Sequence, residues 1–188
     1  MARLGVVIAS VREGRIGFPI AEWFTAAAQA SSTFDVSMVD LKAIDLPLLA
    51  EPNHPRLRKY ESPRTRTWSD TVGALDAFVF VTPEYNFSIA PALLNALDHL
   101  YVEWNYKPAG FVSYGGVSGG LRAVQMARQV LTAFKMVPIV EGVTIPFATK
   151  LIDPDTHAFH ADENHARAAA TMLRELARWS EALKMLRA

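Results

Sequence analysis

The chain of 188 residues contains no cysteine. That absence excludes disulfides, thiolate nucleophiles, thiolate metal sites and cysteine-held iron–sulfur clusters together, so any redox chemistry has to be carried by a bound cofactor. Charge of neither sign is in excess, with 19 Lys and Arg against 19 Asp and Glu. No global field therefore draws the chain to nucleic acid, an anionic membrane or an acidic substrate. No segment reaches the roughly 18 apolar residues that a membrane span needs, and the apolar N-terminal stretch meets Arg12 too soon for a signal-peptide core. A cytoplasmic protein without a membrane or nucleic-acid partner is expected. Two phosphate signatures are missing as well: no G-x-x-x-x-G-K-[ST] occurs, and the first glycine-bearing turn does not spell G-x-G-x-x-G. Both omissions argue against a P-loop nucleotidase and a Rossmann dinucleotide site.

What is present alternates. Short apolar runs at 4–9, 35–40, 77–82, 109–114 and 137–140 are mostly continuous rather than alternating in polarity, as in strands covered on both faces. Helical patterns lie between them at about 17–30, 65–74, 91–101 and 118–134, with a long closing one at about 162–186. Strands alternating with helices predict right-handed crossovers and a single α/β domain over 1–188, a doubly wound five-stranded parallel sheet with helices on both faces. Residues 41–63 hold four prolines and no clean periodicity, and read as a long surface excursion.

In such folds ligands sit beyond the carboxyl ends of the strands, and three of those loops carry the chemistry. The first, "ASVREGRIGFPIAEW" (9–23), offers the Ser10 hydroxyl, the forked donors of Arg12 and Arg15, and a helix opening near Gly17. A phosphate there would meet unpaired N–H groups and the positive end of a helix dipole; the competing reading is a polar turn with solvated arginines. The second, "TPEYNFSIAPALLNALDHL" (82–100), sets Pro83, Glu84, Tyr85 and Asn86 ahead of a helix with Pro91 in its first turn and an apolar face of Leu93, Leu94, Leu97 and Leu100. It suits a flat heteroaromatic ligand with edge donors and acceptors, or is a capping turn whose tyrosine packs down. The third, "SYGGVSGGLRAVQMARQVL" (113–131), has four glycines within six residues, which fits either close approach of a flat ring or a flexible loop. Ser118 is expected to cap the helix that follows, with Leu121, Val124, Met126 and Val130 or Leu131 inward.

The spacing of "SVREGR", "PEYNFSIAPALLNALD" and "SYGGVSGGLRA", each after its strand, resembles the NADPH-dependent FMN reductase family of flavodoxin-like flavoproteins, from residue 3 to about 145. The resemblance implies FMN bound non-covalently, its phosphate held by Ser10, Arg12 and Arg15 with the backbone of Glu13 to Gly17, Ile16 included. It places the isoalloxazine against Pro83, Glu84, Tyr85 and Asn86, with Ser113, Tyr114, Gly115 and Gly116 near the pyrimidine end. It also implies NADPH or NADH as hydride donor, a quinone, azo compound, metal oxyanion or free flavin as acceptor, no catalytic side chain, and a homodimer or homotetramer. Glu84 reads as a structural or ribityl-side acid. Departures from the family pattern are Ala9 for a glycine, Arg15 for a second serine, Pro91 one place late, and Leu94 for a lysine, which bears on packing or subunit contact. A flavodoxin-type electron carrier and an α/β module without flavin are the rival functions. His157, His160 and His165 read as solvated loop residues rather than a metal site. The basic stretch Arg56, Arg58, Lys59, Arg64 and Arg66 reads as a solvated face, with a nicotinamide 2′-phosphate as the alternative. Trp23, Trp68 and Trp179 read as packing, and Trp104 as a candidate for a subunit boundary.

Overall fold

The computed structural model describes residues 1–187. Five strands form one sheet: β1 (Ala2–Ile8), β2 (Phe34–Asp40), β3 (Ala77–Pro83), β4 (Pro108–Tyr114) and β5 (Val137–Ile145), in the order β2-β1-β3-β4-β5. Every pairing is parallel. The apolar runs are continuous because the central strands have no wet face: all seven residues of β3 are buried. Along β3, Phe78 and Phe80 point to one side, while Ala77, Val79 and Val81 point to the other. On the first side α3 (Pro63–Gly73), α4 (Pro91–Asp98) and α5 (Leu121–Ala133) cover a core containing Trp68, Leu93, Leu97 and Leu131. On the second, α1 (Gly17–Ala30) and α6 (Glu163–Leu183) bring in Ile20, Phe24, Met172 and Leu176.

Several boundaries differ from the sequence reading, for identifiable reasons. The helix expected from 118 starts at Leu121, because Gly119 and Gly120 have φ of 58° and 87° and cannot continue a right-handed turn. Ser118 therefore does not cap it. The inward face is Ala123, Val124, Ala127 and Leu131; Leu121 and Met126 are exposed, Met126 standing about 200° round the helix from Val124. Strand five runs on to Ile145, past a register shift opposite Ala109 and Phe111. At that irregularity Arg128 Nη2 donates to the carbonyls of Ile139 (2.6 Å) and Val140 (3.1 Å). The second-loop helix ends at Asp98 and a 3₁₀ turn, Val102–Trp104, follows.

The excursion after β2 holds one short helix, α2 (Leu41–Ile44), and a 3₁₀ turn, Pro55–Leu57. Polar ties fasten it to the body. Asn95 donates to the Pro47 carbonyl (2.8 Å) and accepts from Leu49 N–H (2.9 Å). Buried Glu103 accepts from Ser69 (2.6 Å), Tyr60 (3.0 Å) and Arg58 Nε (3.2 Å). Its basic residues are largely used internally: Arg56 stacks on Tyr101, Arg64 pairs with Asp45, and Arg66 donates to the carbonyls of Tyr60 and Glu61. Nor is His165 a solvated loop residue; it completes a capping box with Asp162 at the start of α6, its ring edge-on to Trp23.

Trp104 lies in the core, not at a boundary. Its ring is fully buried, 5.0 Å from Phe78 and 5.8 Å from Trp68, and its indole N–H donates to the Leu97 carbonyl. Trp104→Ala therefore leaves a large cavity, while the Leu97 carbonyl keeps the Leu100 N–H as a donor, and is expected to destabilise the fold by about 3–5 kcal/mol. Urea denaturation should show a lower midpoint with an unchanged slope.

Candidate functional site

Strand order reverses between β1 and β3, which lie side by side and lead into helices on opposite faces. A crevice opens at their carboxyl ends. It is a cavity of about 370 Å³ lined by Ser10, the loop from Arg12 to Ile16, Pro83 to Tyr85, Tyr114, Gly115 and Thr149. Larger hollows exist, of about 630 Å³ at the amino ends of the strands and about 510 Å³ between α2 and α4. Volume is not what distinguishes the crevice; its donor set is.

The first loop leaves its donors open. Among the described residues, the N–H groups from Val11 to Ile16 make no hydrogen bond of ordinary geometry to a protein acceptor. Helix α1 begins with no side-chain cap and no acid in its first turn, so its positive end is not compensated from within. A Cβ at Gly17 would collide with the Tyr114 hydroxyl, so any larger residue there forces that buried ring to shift. The Tyr114 phenol is pushed above its ordinary pKa by burial and then by the Tyr85 phenol, and stays neutral.

The two arginines separate here. Arg12 is exposed, lies 5.8 Å over the Tyr85 ring, and among the described residues has no ion-pair partner. Arg15 instead turns to the end of β2: Nη1 donates to Asp40 Oδ1 (2.6 Å) and to the Ser10 carbonyl (2.7 Å), and Nη2 to Asp40 Oδ2 (2.5 Å). With both side chains mostly shielded, this two-pronged pair acts as a clasp on the loop. Nothing in the local sequence marks its partner, Asp40, which stands 25 residues away at the end of a strand.

The second and third loops are tied to each other and to the first. Tyr85 Oη and Ser10 Oγ are 2.8 Å apart. Tyr85 and Ser88 exchange backbone hydrogen bonds around a two-residue turn in which Asn86 and Phe87 both have positive φ, 50° and 68°. The Glu84 carboxylate is engaged on three sides. It accepts from Ser118 Oγ (2.8 Å), Arg122 N–H (3.1 Å) and Arg122 Nε (2.8 Å), so that a remote carboxylate, rather than Ser118, compensates the start of α5. Burial works to raise its pKa, and the Ser118 and Arg122 donors outweigh that, holding it below the ordinary value.

Of the residues singled out in the sequence, Ser10, Arg12, Arg15, Ile16, Pro83, Glu84, Tyr85, Tyr114 and Gly115 line the cavity, and Gly17 stands behind it. Asn86, Ser113 and Gly116 do not. Asn86 is at the tip of its turn, Gly116 accepts from Phe147 and Gly119, and Ser113 is buried under Gly120 with its hydroxyl unpartnered. Thr149, from the 3₁₀ turn Ala148–Leu151, completes the wall, and nothing in its local sequence marks it.

The Glu84 contacts make a test. Glu84→Gln is expected to destabilise the protein by about 1–3 kcal/mol at neutral pH, having removed a charged acceptor from three donors. Because the folded-state pKa lies below the ordinary 4.5, the carboxylate's contribution is complete above that value and is lost as pH falls through the depressed one. The gap between wild type and variant, measured by urea denaturation, should therefore shrink under acid conditions; a gap independent of pH contradicts the assignment.

Against known proteins, residues 2–150 match the sequence profile of the family described as NADPH-dependent FMN reductase. A NAD(P)H-dependent FMN reductase of Schizosaccharomyces pombe is 39% identical over 145 residues, covering 75% of this chain and 72% of that protein. A quinone reductase of Pseudomonas putida is 30% identical over 140 residues, 71% of each. Among solved structures, the flavoenzyme NAD(P)H:(acceptor) oxidoreductase FerB of Paracoccus denitrificans superposes with a TM-score of 0.74 over 97% of this chain and 98% of that one, at 20% identity. The chain belongs to the NADPH-dependent FMN reductase family, and is an oxidoreductase whose cofactor is FMN and whose co-substrate is NAD(P)H.

Proposed function

We propose that the chain holds FMN in the 370 Å³ crevice and passes reducing equivalents from NADPH or NADH to a small acceptor, with quinones the favoured class. The observation that carries this reading is the first loop: a row of N–H groups without protein acceptors, an uncapped helix end and one uncommitted guanidinium, Arg12, converge on one cavity. That donor set fits a phosphate monoester. Ser10, Arg12 and the backbone of Glu13 to Gly17 hold the phosphate, and Arg15, neutralised by Asp40, keeps the loop in shape. Pro83 to Tyr85, with Tyr114 and Gly115, flank the ring system, and just outside the cavity wall the N–H groups of Asn86 and Gly116 have no protein acceptor among the described residues.

When bound, FMN supplies a two-electron carrier between nicotinamide and acceptor. The rest of the task falls to the protein. The chain has no cysteine, and Glu84 is tied to Ser118 and Arg122 rather than left free for proton transfer. The chain's work is to orient. Balance is simple for a quinone: NAD(P)H gives up a hydride and leaves as NAD(P)⁺, and the quinone, taking those electrons with that proton and one from solvent, leaves as hydroquinone. Turnover of this kind separates the reading from that of a passive electron carrier.

An assembly of two or four copies is part of the proposal. Beside α4, Val11, Leu48 and Leu49 are exposed around the apolar hollow of about 510 Å³, a patch suited to burial against another copy. Sedimentation at micromolar concentration should give a multiple of 20.7 kDa, and Leu48→Asp should lower it.

FMN titration followed by fluorescence tests the cradle. Losing one charge-assisted bond, Arg12→Ala should weaken FMN binding by about 10- to 100-fold. The wild type should bleach its bound flavin on anaerobic addition of NADPH. A wild-type chain that retains no FMN, or an Arg12→Ala variant that binds it equally well, contradicts the site.

A further inference from the structure

Phe87 is out of place on two counts. Its ring is 66% exposed, and its backbone sits at φ 68°, directly after Asn86 at 50°. A two-residue turn with both central residues in the left-handed region favours Asn-Gly, because a side chain at the second position clashes with its own backbone. The chain has the asparagine and replaces the glycine with a large apolar ring turned toward water. Folding gains nothing visible from it, as Phe87 belongs to neither core cluster.

The ring is nonetheless held. The Arg122 guanidinium lies 4.0 Å from its centroid, and that guanidinium is itself fixed by Glu84 Oε1 at 2.8 Å. One face of the phenyl is thus backed by a braced cation, while Tyr85 and Glu84, on the same turn and its root, line the cavity. With the Arg122 charge matched by Glu84, the patch is a flat apolar surface without net charge, kept at fixed orientation beside the crevice mouth.

We propose that Phe87 is a stacking surface for planar aromatic electron acceptors, and that the Glu84–Arg122 pair is the bracket that orients it. The inference rests on the function proposed above and narrows it: two-ring quinones gain an offset stack on Phe87 that a compact inorganic acceptor cannot make. Non-aromatic acceptors receive electrons with no help from this side chain.

Phe87→Gly is the informative variant, since glycine suits the turn and the protein is expected to fold with a thermal midpoint no lower than wild type. With NADPH saturating, the KM for menadione, a naphthoquinone, should rise about 3- to 10-fold relative to the KM for ferricyanide, the size of one aromatic stack. Phe87→Tyr should restore the wild-type ratio. Arg122→Leu, which frees the ring, should shift the ratio in the same direction as Phe87→Gly. An unchanged ratio, or a rise shared equally by both acceptors, overturns the proposal. A smaller species in sedimentation with the ratio unchanged would assign Phe87 to a contact between copies and overturn it too. Loss of NADPH oxidation in the wild type is a different failure, striking the function itself; a wild type that reduces both acceptors while Phe87→Gly keeps their ratio sinks only the stacking surface.

Discussion

The uncompensated start of α1 is the constraint around which the crevice is organised. Helix ends leave N–H groups without partners, and the chain closes several of its own: Asp40 accepts from Lys42 at α2, Glu84 from Arg122 at α5, and Asp162 from His165 at α6. At α1 the residue before the helix is isoleucine, and the preceding loop adds further N–H groups with no protein acceptor. Those groups need water or a bound anion. The parallel sheet decides where this happens, because β1 ends at the switch point and delivers the open helix end into the one corner that the α1 and α4 connections leave free.

Charge near that corner works largely as scaffolding. Arg15 and Asp40 clasp the first loop to the end of β2, Lys42 and Glu13 add a second tie at 2.7 Å, and Glu84 joins the second loop to the third. Each tie crosses between segments distant in sequence, so each fixes a loop against the frame rather than against itself. A cradle shaped in advance loses less conformational entropy when its ligand arrives. The shielded Arg15–Asp40 pair also lowers the net positive charge available to an anion, leaving Arg12 and the backbone as the attractive elements.

The strands and the three loops were legible because both faces of the sheet are covered: continuous apolar runs mark such strands, and punctuated polar stretches mark their ends. The division of labour between Arg12 and Arg15 was not, since local sequence gives both the same donors and only the fold puts Asp40 beside one of them. Ser118 misled for a related reason. A serine before a helical run reads as a cap, but two left-handed glycines delay α5 by a turn and hand the serine to Glu84. Thr149 came from a turn with no chemical signature, brought to the cavity by the Phe147 and Ala148 N–H bonds to Gly116 and Gly115.

Local preference and final structure agree almost everywhere, which gives meaning to where they part. Left-handed residues at Asp45 and Arg58 follow short helical turns, where that conformation ends a helix at little cost. Phe87 and Phe147 have no such excuse. Both are bulky, both are exposed, both hold positive φ, and both belong to loops leading away from the carboxyl ends of strands that frame the crevice. Strain of about 1–3 kcal/mol per residue persists only where the surroundings over-determine it. Here the surroundings are the same ties that shape the cradle: the paired Tyr85–Ser88 bonds, the Arg122 bracket, and the Phe147 N–H bond to Gly116. Rigid loops and misfit aromatic rings are therefore one arrangement, in which the frame that positions the donors is also what keeps flat apolar surfaces facing the solvent side of the site.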